Sequence, residues 1–374
     1  MALLPNEEQR MLSVSAKAFL ADAAPVAHLR ALRDSSDAIG YSVSLWRDFA
    51  NQGYSGILVP ERFGGLGLSI VEAGLVAEEL GRNLTPSPFL STAVLGAVAL
   101  ERAGNEAQQK RLLPAIAEST TVLALATDEC ARHNPESVTL SAVRHGDGFA
   151  LNGEKIFVVD GHVAQTLIVS ARTSAHGMTL FLVDRDTAGV HIERAAMIDA
   201  HNAARVRLQD VKVDADAVLG AIDGGHGVLS QVLDHGRAIV AAQLVGAADA
   251  VFERTTTYLK ERRQFGRLIG EFQALQHRAA QWYVELELAR SMLTEALHAL
   301  AGRSADAGLM VARAKALACE AASLAVREGV QMHGGMGMTD ELDIGLFMKR
   351  VGVLQTLFGD TRFHLDRAAT LSGY

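Results

Sequence analysis

Residues Tyr258 to His277 read YLKERRQFGRLIGEFQALQH, and the organisation of the chain can be worked outward from them. On the N-terminal side an apolar helical run carries Val240, Leu244, Ala247 and Val251; on the C-terminal side a second helical pattern enters through Phe272 and Gln273. Between them stand Arg262, Arg263, Gln264, Phe265 and Gly266, two guanidiniums and an amide beside an aromatic ring, with a glycine that can release the helix. That set of donors suits a planar, phosphorylated ligand.

The 374 residues exceed one ordinary domain, and a prior of roughly 150 residues per domain predicts two or three. Apolar residues make up 49% of the chain, enough for a large core. Lys and Arg number 35 against 43 Asp and Glu, with no basic stripe, so nucleic acid is not an expected partner. Cys130 and Cys319 have no CxxC spacing, which argues against a disulfide framework and against a structural metal site. The stretch MALLPNEEQRMLSVSAKAFLADAAP lacks a basic segment followed by a long apolar core, so no secretory signal is expected. No run approaches the roughly eighteen apolar residues that span a bilayer. A soluble, cytoplasmic protein is the expectation.

Along the chain the hydrophobic period changes twice. From residue 6 to about 118 it is helical: Met11, Val14, Ala18 and Phe19 recur at three and four, as do Val71, Leu75, Ala77 and Leu80, with breaks at Gly53, Val59–Gly67, Thr85–Pro88 and Gly104. Near residue 120 alternation takes over in short runs from Thr121 to Leu208, and Gly146-Asp147-Gly148 and Asn152-Gly153 read as hairpin turns. After a glycine joint at Gly224-Gly225-His226-Gly227 the pattern is helical again and rich in alanine. Trp282, Leu286, Ala289 and Leu293 form one stripe, and Val311, Ala314, Ala318, Ala321 and Ala325 form another, which fits a four-helix bundle. The predicted fold is α+β and mainly α. It comprises an N-terminal helical domain over 1–119, a middle antiparallel β domain over 120–220 and a C-terminal four-helix bundle over 221–374.

With RRQFG between bundle helices and His333-Gly334-Gly335-Met336-Gly337 later, this order of domains resembles the acyl-CoA dehydrogenase family. The resemblance runs over essentially the whole chain. It is carried by VPERFGGLGLS, by NEAQQKRLLP at Asn105–Pro114, by LNGEK at Leu151–Lys155 and by QFGRLIGEFQALQHRAA. YLKERRQFG and KRVGVLQTLFGDTRFH are most similar to small subunits of pimeloyl-CoA dehydrogenase. The resemblance implies removal of the α and β hydrogens of an acyl-CoA thioester. A carboxylate takes the α proton, the β hydrogen leaves as hydride to flavin N5, and electrons pass to an electron-transfer flavoprotein. FAD is the implied cofactor. In the family it is bound across two subunits, which implies a homo-oligomer or a heterotetramer with a larger acyl-CoA dehydrogenase subunit.

Residue by residue, the resemblance places Arg262 on the FAD diphosphate of a neighbouring subunit, with Phe265 and Gln273 as adjacent contacts. Gln331, Gly334 and Gly335 match the segment along the adenosine side. Thr127 matches a threonine near the flavin ring, Phe157 the stacking aromatic, and Val159 a small hydroxylic residue whose side-chain donor it lacks.

The base departs from the family pattern. Anchored on Gly359, Phe358 stands where the family has its glutamate; anchored on Arg367, the register slides by two and Asp360 stands there. The family's other location precedes an arginine on the helix expected to begin near Leu233, and here Gly236 precedes Arg237. The candidate catalytic residues are therefore Asp360, Asp234 and Arg237, the last two sharing a helical face by their spacing. As non-catalytic roles, Asp360 suits a turn and Asp234 a helix N-cap. Two further readings stay open. A partner subunit supplies the base, making this chain the base-deficient or non-catalytic member of a heteromer, or the chain performs other flavin chemistry on an acyl-CoA, such as desulfination. After Thr127 the family's glycine-rich loop is replaced by Asp128-Glu129-Cys130-Ala131-Arg132-His133-Asn134-Pro135, bulkier and more charged.

Overall fold

The structure is a computed structural model that describes residues 4–374. Six helices come first: α1 (Glu7–Ala23), α2 (Val26–Asp34), α3 (Val43–Asn51), α4 (Ile70–Asn83), α5 (Ala97–Ala103) and α6 (Glu106–Ala117), with a wide π-helical segment at Phe89–Gly96. Asn6 and Asn105 start α1 and α6 with reciprocal capping boxes to Gln9 and Gln108, which satisfy end amides that a helix leaves open.

The β strands follow: β1 (Leu123–Ala126), β2 (Ser141–His145), β3 (Gly148–Val159), β4 (Thr166–Arg172), β5 (Met178–Asp184), β6 (Val190–Ala196), β7 (Asn202–Val213) and β8 (Val218–Leu219). They form one sheet in the order β6-β7-β3-β2-β4-β5-β8, mostly antiparallel, with β1 added in parallel beside β4. Its buried face carries Phe149, Leu151, Leu167, Phe181 and Val206, with the Phe149 and Phe181 rings edge to face at 5.1 Å. Full burial of such side chains contributes about 1.5–3 kcal/mol each. Gly146-Asp147 is the expected hairpin loop, joining β2 to β3. Asn152-Gly153 is not: β3 runs straight through it. The pair forms a bulge where the β3–β7 register shifts, Gly153 has φ +145°, and Asn152 Oδ1 accepts the Asp210 amide at 2.8 Å.

The chain then enters α7 (Gly225–Glu261), a short hairpin of β9 (Arg263–Gln264) and β10 (Arg267–Leu268), and α8 (Gln273–Ala301), α9 (Ala307–His333), α10 (Ile344–Thr356) and α11 (Thr361–Leu371). The fourth helix of the expected bundle is thus divided into α10 and α11. Leu357 is extended there, and Phe358 and Gly359 turn left-handed with φ +58° and +108°.

Contacts divide the chain into two compact units. The β unit comprises Leu32–Ser69 and Pro86–Gly236; the helical unit comprises residues up to Ala31, Ile70–Thr85 and Arg237–Tyr374. Within the helical unit α4 crosses α7 backbone to backbone. A Cβ on Gly81 would lie 2.1 Å from the Gln243 carbonyl oxygen, and one on Gly246 would lie 1.9 Å from that of Glu78. Glycine at both positions lets the helices touch, and Arg82 fastens them through Asp249 and Glu253. Among the described residues no helix is long and apolar enough to cross a membrane, and no group of three metal-ligating side chains is assembled.

Candidate functional site

The stretch from Tyr258 builds an outward-facing platform on the helical unit. Arg262 closes α7, its amide donating to Tyr258 and its carbonyl accepting from Ile269, each at 2.9 Å. Phe265 and Gly266, at φ +53° and +79°, then turn the two-residue hairpin. Left-handed geometry at both central positions matches the twist of the flanking strands. It leaves Phe265 at the tip, 90% exposed, with its ring edge-on to Phe272 at 6.1 Å. Arg262, Arg263, Gln264 and Gln273 are exposed, and among the described residues none of their side chains has a hydrogen bond or ion pair.

The glycine cluster that ends α9 comes to the same place. The Tyr258 ring stacks on His333 at 4.5 Å, and His333 Nδ1 donates to the Gly329 carbonyl at 2.7 Å. His333 is thus a packing residue that ties the end of α7 to the end of α9. Beyond it Gly334 turns with φ +62°, and Cβ atoms on Gly334 or Gly335 would meet nothing within 4 Å. Gln331 is exposed on the last turn of α9. Two signals some seventy positions apart in sequence therefore form one surface, with free guanidinium and amide donors beside open glycine backbone. Such a surface fits the diphosphate and adenosine part of FAD.

The β unit arranges its candidates differently. Thr127 directly follows β1, and its buried hydroxyl has no hydrogen-bond partner. Phe157 lies in a second bulge of β3, left-handed at φ +55°, and Val159 is half-buried and offers no side-chain donor. The loop after Thr127 is pinned inward. Ile156 donates its amide to the Asp128 carbonyl at 2.8 Å, and His133 Nδ1 meets Asp128 Oδ1 at 2.8 Å. Glu129 accepts from the Thr139 and Leu140 amides, from the Thr139 hydroxyl and from Lys155 Nζ. Lys155 has no exposure and also reaches Ser170 Oγ and the Thr127 carbonyl. Burial acts to raise the Glu129 carboxyl, but the Lys155 charge and these hydrogen bonds outweigh it and hold it below the usual carboxylate range. Thr127, which the resemblance sets beside the flavin ring, thus has a buried, unpaired hydroxyl, and the carboxylates after it are committed to His133 and Lys155.

Around Phe358 to Asp360, the two positions the resemblance offers for the base, the helical unit holds a shaped turn. The Phe358 carbonyl accepts from Arg237 Nε and His364 Nε2, both at 3.2 Å. Lys315, wholly buried on α9, donates to the carbonyls of Leu354, Gln355 and Gly359 at 3.1–3.3 Å. Burial, with the charges of Lys315, Arg237 and Arg367, pushes His364 down to about 2, so its ring is neutral and donates through Nε2. The Phe358 side chain is buried. Asp360 is the N-cap of α11, its Oδ1 accepting the Phe363 amide at 2.8 Å. Asp234 is buried within α7, which starts at Gly225 rather than near Leu233, so it caps nothing. Lys315 escaped the sequence reading although it stands at the spacing of Val311 and Ala318, where the apolar stripe calls for a small residue.

Comparison with known proteins agrees with this architecture. Three descriptions match in order: acyl-CoA dehydrogenase N-terminal domain over residues 6–120, middle domain over 124–211 and C-terminal domain over 223–370. The chain belongs to the acyl-CoA dehydrogenase family, whose members are FAD-dependent oxidoreductases. It is 32% identical over 363 residues to the acyl-CoA dehydrogenase IpdE2 of Mycolicibacterium smegmatis, covering 97% of this chain and 98% of that one. Among solved structures it is similar to a variant of the Tcur3481-Tcur3483 steroid ACAD (32% identity, TM-score 0.89, 98% of each chain). The ChsE4-ChsE5 complex from Mycobacterium tuberculosis is also similar (25% identity, TM-score 0.91, all of each chain).

Proposed function

We propose that this chain takes part in FAD-dependent α,β-dehydrogenation of an acyl-CoA thioester as the base-deficient subunit of a heteromeric acyl-CoA dehydrogenase. A larger partner supplies the proton-abstracting carboxylate, and electrons leave to an electron-transfer flavoprotein. The observation that carries this reading is Phe358. Arg237, His364 and Lys315 shape the turn at the base position through its backbone, yet the side chain there cannot accept a proton. Two of the similar solved structures are named as two-component assemblies, which supports the heteromer.

In such an assembly Arg262 and Gln264 would grip the diphosphate, Phe265 would cover an edge of the cofactor, and Gly334 and Gly335 would admit its adenosine side. Bound FAD supplies the hydride acceptor. Anaerobic mixing with acyl-CoAs of several lengths, including ω-carboxylated and steroid-bearing ones, tests the reading. Flavin bleaching is expected with the chain co-expressed beside a glutamate-bearing paralogue and absent with this chain and FAD alone. Full bleaching by this chain and FAD alone would refute it.

A stand-alone enzyme is the second reading, favoured by the buried carboxylate of Asp234 on α7. Asp234→Asn would then abolish turnover by orders of magnitude with flavin content unchanged.

A further inference from the structure

We propose that the β unit carries a second ligand site, at the end of its sheet remote from Thr127, that takes a small organic carboxylate with an apolar ring. The site is a cleft of about 870 Å³ between the 38–41 loop, α3, the link from α6 to β1 and the link from β3 to β4. Every lining residue belongs to the β unit, and the volume is that of a small-molecule site. Val122, in its wall, directly precedes β1, whereas Thr127 directly follows that strand, about 16 Å away at the rise of an extended chain. The site is thus separate from the redox chemistry, and the inference does not depend on which subunit supplies the base.

The walls are tied in place by side chains. Arg194 Nη1 donates to the carbonyls of Asp37 and Ala38 at 2.6 and 2.9 Å, and the Ile39 carbonyl accepts from Asn202 Nδ2 at 2.9 Å and from His162 Nε2 at 3.0 Å. Gln165 Oε1 accepts the Val122 amide at 2.7 Å, and Arg185 Nη1 donates to the carbonyls of His162 and Ala164, each at 3.3 Å. A cleft held in this way needs little ordering when a ligand arrives, which lowers the cost of binding.

The lining defines the ligand. Ile39 and Val43 are exposed and Val163 is half-buried, an apolar surface that favours a ring over a bare ion. Two guanidiniums, Arg47 and Arg185, face one lining carboxylate, Glu118. Arg47 is exposed and, among the described residues, has no hydrogen bond or ion pair. Arg185 spends Nη1 on carbonyls and keeps further donors of its fork. The two remaining titratable groups of the lining carry no charge. His162 gives its Nε2 proton to Ile39, and burial lowers its pKa; the Tyr41 hydroxyl is pushed up to about 12 by burial and then by the Asp160 charge. The balance selects an anion, and a guanidinium grips a carboxylate well. A second observation points the same way. Trp46 Nε1, Ser119 Oγ and His162 Nδ1, all of lining residues, are buried without a hydrogen-bond partner. Protein interiors ordinarily pair such groups, and three of them gathered at one cleft mark a wall completed by what it binds.

The test titrates the full-length chain with cyclohexanecarboxylate and reads heat by calorimetry and tryptophan emission by fluorescence. The chain has two tryptophans, so Trp282→Phe leaves Trp46 as the only reporter, in the wall of the cleft; calorimetry on the unaltered chain stands by itself should that variant fold poorly. Binding with a dissociation constant of about 1 mM or tighter is expected, together with a shift in Trp46 emission. Arg47→Glu, on an exposed helix position, should weaken it at least about tenfold, and Arg47→Lys should keep most of it. Cyclohexylmethanol, which has the ring without the charge, and inorganic phosphate, which has the charge without the ring, should each bind at least about tenfold more weakly. Butyryl-CoA should leave the acid in place. No heat and no emission change at concentrations about tenfold above the expected constant would overturn the inference. So would binding that ignores Arg47→Glu, phosphate binding as tight as that of the acid, or displacement of the acid by butyryl-CoA.

Discussion

Replacing Lys315 by methionine asks whether one buried ammonium holds the turn at Phe358. The side chain has no exposure, and its Nζ donates to three carbonyls and lies 3.2 Å from Cys319 Sγ. Hydrogen bonds from a charged donor contribute about 1.5–3 kcal/mol each, against a desolvation penalty of several kcal/mol for the buried ion. Methionine removes both effects but leaves three buried carbonyls short of a donor, at about 1–3 kcal/mol apiece where no other partner steps in. A net loss of about 3 kcal/mol is expected, which lowers the melting temperature by roughly 6–12 °C in a unit of this size. The pH dependence has a defined sign. Burial first, then the Arg237 charge, lower the Lys315 pKa against the opposing pull of Cys319 and Asp360. The folded state therefore sheds this proton before the unfolded state does, and stability from this group rises with pH from the lowered value up to about 10.4. In thermal melts at stepped pH, the gap between wild type and Lys315→Met should widen toward alkaline pH. A variant melting within a degree or so of wild type, or a gap that stays constant with pH, would refute the reasoning.

Acid should weaken the same turn through His364. Its folded pKa of about 2 lies below the unfolded value, so stability is intact above about 6.5 and falls as pH drops below it. The expected loss is about 2 kcal/mol at pH 5 by urea denaturation, and His364→Gln should flatten that slope. Gly246→Val should separate α4 from α7, because its Cβ would stand 1.9 Å from a backbone oxygen. Overpacking of this kind costs about 1–3 kcal/mol or more, and unchanged melting would contradict the contact. Lys155→Met leaves Glu129 buried without its cation, which costs about 3–5 kcal/mol; protection of the Thr139 and Leu140 amides in hydrogen exchange should fall, and unaltered protection would count against the pinned loop. Phe358→Glu should lower the melting temperature, because it replaces a buried ring, and give α-deuterium exchange of acyl-CoA in the flavin-loaded complex with a base-inactivated partner. No exchange from a folded variant would argue that the turn is not aimed at the α carbon.

Much of this was legible in one sequence. The change of period near residue 120 and the hairpin at Arg262 to Gly266 rest on local pattern, which hydrophobic spacing and turn chemistry report well, whereas the glycines at Gly224–Gly227 lie within the β unit, whose contacts run on to Gly236. Asn152-Gly153 misled because the same dipeptide serves a hairpin or a bulge, and the choice belongs to β7, which offers the Asp210 amide from 58 residues away. The roles of Asp360 and Asp234 likewise depend on where helices start: Asp360 opens α11, and α7 begins earlier than its apolar stripe suggests. Nothing local marks Lys155 or Lys315 as a buried cation, because their carboxylate and carbonyl partners come from elsewhere in the chain. The juxtaposition of Tyr258 with His333 is a tertiary fact that neither segment announces.

The turn at Phe358 and Gly359 has a consequence for descent as well as for chemistry. Arg237, His364 and Lys315 all grip its main-chain oxygens, so its backbone course does not require a carboxylate at 358. A duplicated copy can exchange an acid for a ring at that point and still fold onto the ancestral frame. Specialisation of two sister subunits can then begin at that one position on an unchanged frame.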